Sequence, residues 1–413
     1  MTEVKILSGN NIIGGNFVKI TDGDDVLVFD QGIRFDIFGK YFSNWVQPKG
    51  IMELRRLGVL PGEEWYKDGK HVYITHLHLD HLGALSNVPS GVQVHLPGTP
   101  IYSEMKKRWE NSPTWMNLIP ENYYLDVKDV QAVSEDENRV MAIPVSHSAY
   151  PAFAYLYFGK SRTILYTGDM RVRGFVEGKD FKGIHKAPPL LEYLQSQHDL
   201  KIDSLIIEES NLGSERTPIL PSHAISLIEK IIAPADLVIV TSHHLDVEFL
   251  VTVLGLVKKL DFKTFVTSET VAKGIRATGV PSEFKVLEES AETPLFHTAP
   301  LEVVLKDKSI VIASYYEIID LFRSLEEANL RSKRVVYILT EPEPAAEEMQ
   351  QYETVNRWLS MFGIQSYRLR VSGHYYPFEF EEILKTIKPK EIIPIHTFRA
   401  DLMLRLAKAY MKK

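Results

Sequence analysis

Between residues 71 and 83 the chain reads HVYITHLHLDHLG, which puts His76, His78, Asp80 and His81 within six positions. Neutral histidine offers a ring nitrogen to a metal, and aspartate offers an oxygen. The stretch His71–Thr75 is mostly apolar and reads as a buried strand. On an extended chain His76 and His78 point to the same side, because side chains alternate. The chain must then turn, so that Asp80 and His81 can face a second position. That arrangement suits two adjacent metal ions better than one. A histidine-rich surface loop is the plainer reading. Three histidines and a carboxylate at H-x-H-x-D-H spacing after a strand nevertheless point to a metal.

Further candidates stand at the ends of short apolar runs. Asp30 closes VLVFD, His147 follows the run Val140–Val145, and Asp169 follows Thr163–Tyr166 in Thr167-Gly168-Asp169. Glu208, Glu209 and Ser210 follow Leu205-Ile206-Ile207. His374 stands in Ser372-Gly373-His374, and His396 ends the run Glu391–Ile395. A lone histidine is more often structural, and neither late triplet is specific by itself.

The elements that must position these residues are short strands and helices. VKIL, FVKI and VLVFD, with Asp22-Gly23 between the last two, read as a hairpin-rich start. Residues 33–70, with Phe35, Phe38, Tyr41, Phe42 and Trp45, read as an irregular excursion. Strands are expected at 92–96, 139–145 and 153–158, and a helix from Gly98 to Arg108, started by Thr99-Pro100. From about 215 the texture changes to alternating strand and helix. Strands fall at 237–242, 264–268, 309–314 and 335–340, and helices at 222–233, 245–259, 315–328 and 351–361. That alternation predicts βα units and a mainly parallel sheet. Glu341-Pro342-Glu343-Pro344 reads as a surface loop, Ser366–Val371 as a strand and Phe378–Ile387 as a helix.

The early motif resembles the signature of the metallo-β-lactamase superfamily of binuclear metallohydrolases. The order of the later landmarks resembles its β-CASP branch, the nucleases of that fold, and within it ribonuclease J of the archaeal type. The resemblance implies an αββα sandwich with an inserted β-CASP α/β domain. The expected division is 1–212 and 365–413 for the sandwich and 213–364 for the insertion. Only 17 residues follow His396, so the separate C-terminal domain of bacterial ribonuclease J is expected to be missing.

Residue by residue, the resemblance implies that Asp30 supports the metal loop without binding metal. His76, His78 and His147 would hold one ion, and Asp80, His81 and His396 the other, with Asp169 bridging. Glu209 would be the acid of the branch's motif A, with Glu208 as the alternative, and would orient a histidine. His374, in motif B, would be the general acid, and Asp80 would also orient the attacking water. The implied reaction is hydrolysis of RNA to 5′-phosphate and 3′-hydroxyl ends, 5′-to-3′ from an end with some endonuclease capacity. The implied cofactors are two zinc ions, or manganese. DNA-directed members usually lack the histidine at position 396, which favours RNA. Alternatives are a hydrolase of DNA or of a small phosphoester or ester, and a non-catalytic subunit of an RNA-processing complex.

Two departures stand out. Ribonuclease J usually has a Ser/Asn-rich loop for a 5′-phosphate where this chain has Ser242, His243, His244, Asp246 and Glu248. Ser242, His243, His244 and Ser372 could still supply donors to phosphate, although Asp246 and Glu248 would repel it unless they face away. After Ser314, where the family commonly has a glycine-rich turn, this chain has Tyr315-Tyr316-Glu317.

Composition sets outer bounds. At 413 residues the chain can bury a large core in two or three domains. A net charge of -7 counts mildly against a nucleic-acid binder, although two divalent ions would add local positive charge. There is no cysteine, which excludes disulfides, thiolate ligands and thiol nucleophiles. The start MTEVKILSGNN is not a signal peptide, and the apolar stretch Leu237–Val257 is interrupted by polar residues. The expectation is a cytoplasmic protein with RNA as partner, no membrane, and a homodimer left open. The histidines outside the motifs, including His71 and His95, read as surface or packing.

Overall fold

The computed structural model describes residues 2–43, 45–103, 125–214, 217–288, 294–313, 317–325, 330–340 and 349–411. They form two compact units. The first comprises Met1–Val172, Glu177–Arg216 and Gly373–Lys413, and the second Arg173–Val176 and Thr217–Ser372.

The first unit is built on two sheets. One contains β1 (Thr2–Ser8), β2 (Phe17–Asp22), β3 (Asp25–Phe29), β4 (His71–Tyr73), β5 (Gln93–Leu96) and β6 (Asp126–Asp129), in that order. β1 to β3 form an antiparallel meander, and β3 to β6 run parallel. The other contains β7 (Val140–Pro144), β8 (Phe153–Phe158), β9 (Thr163–Tyr166) and β10 (Ser204–Glu208), completed by β18 (Glu391–Ile395) in the order β18-β10-β9-β8-β7. Strands rich in Val, Ile, Phe and Tyr pack well on a pleated surface. Val18, Leu27, Phe29 and Tyr73 of one sheet meet Tyr155, Ile164, Tyr166, Ile206 and Ile395 of the other in a shared core. The outer face of the second sheet is covered by helices Leu190–Ser196, Phe380–Ile387 and Ala400–Met411. Two short helices, α1 (Phe35–Tyr41) and α2 (Ile51–Leu57), pack around Ile33, Leu54, Val59 and Ala84. Residues 33–70 are therefore not the irregular excursion that their sequence suggests. Few of their apolar side chains are fully buried, which leaves little helical periodicity to read.

The second unit is a parallel sheet in the order β14-β13-β12-β15-β11-β16-β17. Its strands are β11 (Leu237–Thr241), β12 (Lys263–Val266), β13 (Lys285–Leu287), β14 (Thr298–Ala299), β15 (Ser309–Ala313), β16 (Val335–Leu339) and β17 (Gln365–Arg368). β11, β15 and β16 are buried along their whole length, as expected of parallel strands covered on both faces. Helices Pro221–Ile232, Val247–Lys259 and Met349–Phe362 fall close to the positions expected from the sequence. The boundary at 365 is corrected. β17 pairs with β16 at the edge of this sheet, and the unit runs to Ser372. The half-exposed β17, QSYR, lacks the apolar content that marks the other strands. The Glu341–Pro344 loop, Tyr315-Tyr316 and part of the helices expected at 98–108 and 315–328 lie outside the described residues. Among the described residues no helix is long and apolar enough to cross a membrane.

Candidate metal centre

Each candidate ligand of the first unit follows the C-terminal end of a strand. His76, His78, Asp80 and His81 follow β4, His147 follows β7, Asp169 follows β9 and His396 follows β18. The turn expected after His78 is a one-turn helix, Leu79–Leu82, that swings Asp80 and His81 away from the strand direction. The loop has no room for larger neighbours. A Cβ on Gly32 would lie 1.6 Å from the Asp80 carbonyl oxygen, and one on Gly14 would lie 2.8 Å from Asp80 Oδ2.

Two sets of ligand atoms result. His76 Nε2 and His147 Nε2 approach His78 Nδ1 at 3.1 and 3.2 Å. Asp80 Oδ2 lies 3.2 Å from His396 Nε2 and 3.8 Å from His81 Nε2. Asp169 Oδ2 belongs to both sets. It lies 3.9 Å from His76 Nε2 and from His147 Nε2, 3.1 Å from His81 Nε2 and 3.7 Å from His396 Nε2. The other oxygen of Asp169 is buried and makes no hydrogen bond. A buried carboxylate oxygen left unpaired among convergent imidazoles fits a bound cation.

A second layer of contacts selects the nitrogen that each histidine presents. His81 Nδ1 is 2.7 Å from Asp30 Oδ2, and His147 Nδ1 donates to the Gly373 carbonyl at 2.6 Å. Thr75 Oγ1 holds His76 Nδ1 at 3.0 Å, and Ser210 Oγ holds His396 Nδ1 at 2.8 Å. Each leaves Nε2 for a metal. Asp30 is fully buried at a positive φ of 57°. It accepts from the Thr75 backbone N–H at 2.8 Å and from the Tyr166 hydroxyl at 2.5 Å. Thr75, Tyr166, Ser210 and the Gly373 carbonyl had no signal in the sequence beyond Ser210's place after two acids.

Electrostatics divide the histidines. Burial holds His76 and His147 well below the usual imidazole range and brings His78 down to about 4, so all three are neutral at pH 7. Burial also works against a proton on His81, but Asp169, Asp30 and Asp80 overcome it and raise its pKa. Burial would raise Asp80 and Asp169. Neighbouring histidines reverse this, His81 and His396 for Asp80, and His396, His81 and His374 for Asp169, so both stay ionised.

The choice of Glu209 is corrected. Glu208 faces the centre, with Oε1 3.0 Å from His374 Nδ1 and Oε2 accepting from Ser210 Oγ at 2.7 Å. Alternation along β10 explains the difference. Glu208 shares a face with Ile206, which lies in the core between the sheets, whereas Leu205 and Ile207 face the helix layer. Glu209, one residue on, is buried with its carboxyl group beside the Tyr375 hydroxyl. Burial, Glu208 and Glu379 raise its pKa well above the carboxylate range. His374 Nδ1 lies 3.7 Å from Asp169 Oδ2 and its ring is 18% exposed, the position of a group that can meet both site and solvent.

Ser242, His243, His244 and Ser372 belong to the second unit. Just beyond β11 the rings of His243 and His244 stack with centroids 4.5 Å apart. Glu248 is buried in the following helix and so is not a surface charge, while Asp246 is half-buried.

Residues 67–246 match the model of the metallo-β-lactamase superfamily. The chain thus carries a metallo-β-lactamase-type domain. It is a metal-dependent hydrolase, and the architecture is a metallo-β-lactamase sandwich with an inserted β-CASP-type α/β unit. Proteins named ribonuclease J from Pyrococcus abyssi and Methanocaldococcus jannaschii are similar over nearly the whole length. The first is 21% identical over 96% of this chain and 90% of its own, and the second 19% identical over 95% and 91%. A crystal structure of a protein of unknown function from Enterococcus faecalis V583 has the same fold, with a TM-score of 0.75 and 19% identity. The match covers 97% of this chain and 95% of that one.

Proposed function

We propose that this metallo-β-lactamase protein is a ribonuclease that hydrolyses RNA phosphodiester bonds with two divalent metal ions, zinc or manganese. The position of Asp169 Oδ2 carries this reading, since it lies within 3.9 Å of ligand nitrogens from both sets. The two ribonuclease J relatives support RNA as the substrate. His76, His78 and His147 would hold one ion, Asp80, His81 and His396 the other, with Asp169 between them. When bound, the ions would activate water and neutralise charge on the phosphate.

The protein groups supply orientation and protons. Asp80 accepts a proton from the attacking water. The water oxygen bonds to phosphorus, the bond from phosphorus to the 3′ oxygen breaks, and the leaving oxygen takes a proton from His374. Glu208 holds Nδ1 of His374, so this exchange runs through Nε2. Products carry 5′-phosphate and 3′-hydroxyl ends. We assign digestion from a 5′ end with some internal cleavage, and phosphate contacts to Ser242, His243, His244 and Ser372. Cytoplasmic RNA is the partner this implies.

The test is a gel of end-labelled RNA and DNA incubated with zinc- or manganese-loaded protein. Mononucleotides released from RNA are expected. Internal fragments alone would remove the exonuclease assignment, and DNA cleavage without RNA cleavage would overturn the substrate.

A further inference from the structure

Thr75 directly precedes His76 and is itself no metal ligand. Its buried hydroxyl nevertheless reaches toward both ligand sets. Thr75 Oγ1 lies 3.0 Å from His76 Nδ1, 3.0 Å from Asp30 Oδ2 and 3.1 Å from Asp30 Oδ1. Asp30 Oδ2 lies 2.7 Å from His81 Nδ1. His76 belongs to one set and His81 to the other. The remaining histidines with a resolved backing group are held separately, His147 Nδ1 by the Gly373 carbonyl and His396 Nδ1 by Ser210 Oγ.

A proton count sets the direction of each bond. A carboxylate only accepts, and a hydroxyl has one proton to give. Thr75 Oγ1 therefore donates to Asp30 and accepts at His76, which puts the His76 proton on Nδ1 and leaves Nε2 for an ion. A carboxylate has lone pairs for about four donors. Asp30 meets them in the Thr75 hydroxyl, the Thr75 backbone N–H, the Tyr166 hydroxyl and His81 Nδ1. Packing fixes the same side chain. The Thr75 carbonyl accepts from Phe153 N at 2.9 Å. A Cβ on Gly168 would lie 2.8 Å from Thr75 Cβ and Cγ2, so the glycine just before Asp169 closes on it.

We propose that Thr75 is a positioning residue that couples the two metal positions, so that the ions bind as a pair. Turning His76 toward its ion aligns Nδ1–H on Thr75, which commits the hydroxyl to Asp30 and Asp30 to His81. Hydrogen bonds in such a chain polarise one another, and a backed imidazole is the better ligand. Linkage makes the effect equal in both directions. This rests on the two-ion part of the proposed function and adds how the two ions are taken up.

The test adds zinc in steps to metal-free protein and counts ions per chain by native mass spectrometry. At one equivalent, metal-free and two-ion chains should dominate, with the one-ion form below the share that independent positions give. In Thr75→Val the one-ion form should become the main species, and the weaker ion should bind roughly 10- to 100-fold less tightly. Thr75→Ala should do the same, and gives the answer if the valine variant does not fold. Thr75→Ser keeps the hydroxyl and should restore paired uptake. Tyr166→Phe removes another donor to Asp30 but leaves the link, so it should also load in pairs. A dominant one-ion form in wild type would overturn the coupling, as would paired uptake in the valine and alanine variants or its equal loss in Tyr166→Phe. Two ions bound at saturation would in each case leave the two-ion reading standing. Uptake that stops at one ion per chain would overturn both.

Discussion

β4 carries histidines at both ends, and the two ends have different fates. At its start His71 Nδ1 faces His95 Nε2 at 3.1 Å, the same spacing as between His76 and His78 beyond its other end. Burial lowers the pKa of both His71 and His95, the latter to about 4. Convergent neutral imidazoles are therefore not enough to mark a metal centre. The difference lies in the carboxylate. Near His95, Asp136 is fully engaged: Oδ2 accepts from the Tyr73 hydroxyl at 2.6 Å, and Oδ1 from the backbone of Asn138 and Val140 at 2.9 and 3.0 Å. At the other end Asp169 keeps one oxygen unengaged and aims the second at five imidazoles. The first cluster packs, with His95 stacked on Tyr73 at 4.1 Å, and the second is built to hold ions.

Asp169→Ala should give the largest effect. Losing the shared carboxylate should lower metal content in both positions and cut turnover by roughly a thousandfold or more. Elemental analysis and single-turnover rates on RNA check this, and a variant that keeps both would break the comparison.

The next effect is on pH dependence. His95 has a folded pKa of about 4, against about 6.5 when unfolded. The unfolded chain thus binds more protons between those values. Stability from neutral His95 is full above the unfolded pKa and is lost as pH falls toward the folded one. The denaturation midpoint of metal-free protein should fall from pH 7 to pH 4. In His95→Gln the slope should be shallower by about 1–3 kcal/mol over that range.

Glu208→Gln should keep the metals and slow turnover roughly 10- to 100-fold by loosening His374. Glu209→Gln should leave turnover near wild type, because that carboxyl does not reach His374 or the metal ligands. The reverse pattern would restore the assignment made from sequence.

His71→Ala should have the smallest effect. Metal content should not change, and urea denaturation should show a loss of about 1 kcal/mol, the scale of one partly buried hydrogen bond. Loss of metal from this variant would show that the two clusters do not differ as described.

Much of this was legible. The H-x-H-x-D-H run, His147, Asp169 and His396 all sit where strand-ending signals place them, because apolar runs of β-branched residues mark strands clearly. The alternation beyond residue 215 revealed the parallel sheet. Glu208 was ranked behind Glu209 because adjacent acids at a strand end differ only in which face they take, and that depends on where the strand stops. β17 was assigned to the wrong unit because an edge strand with the sequence QSYR has few buried positions to betray its neighbour. The Asp30 contacts were invisible in detail, since partners 45 and 136 residues away meet only after folding.

β18 pairs in parallel with β10, and it brings His396 to Asp80 across 316 residues of chain. Contacts so distant in sequence form late, because a long loop must close before they return any energy. A chain emerging from the ribosome can lay down β4 and its histidines early, yet it holds an incomplete set of ligands until the whole second unit has been made and β18 has docked. The order of synthesis thus sets the order of assembly: the ligand set lacks His396 until the residues beyond the second unit have been made.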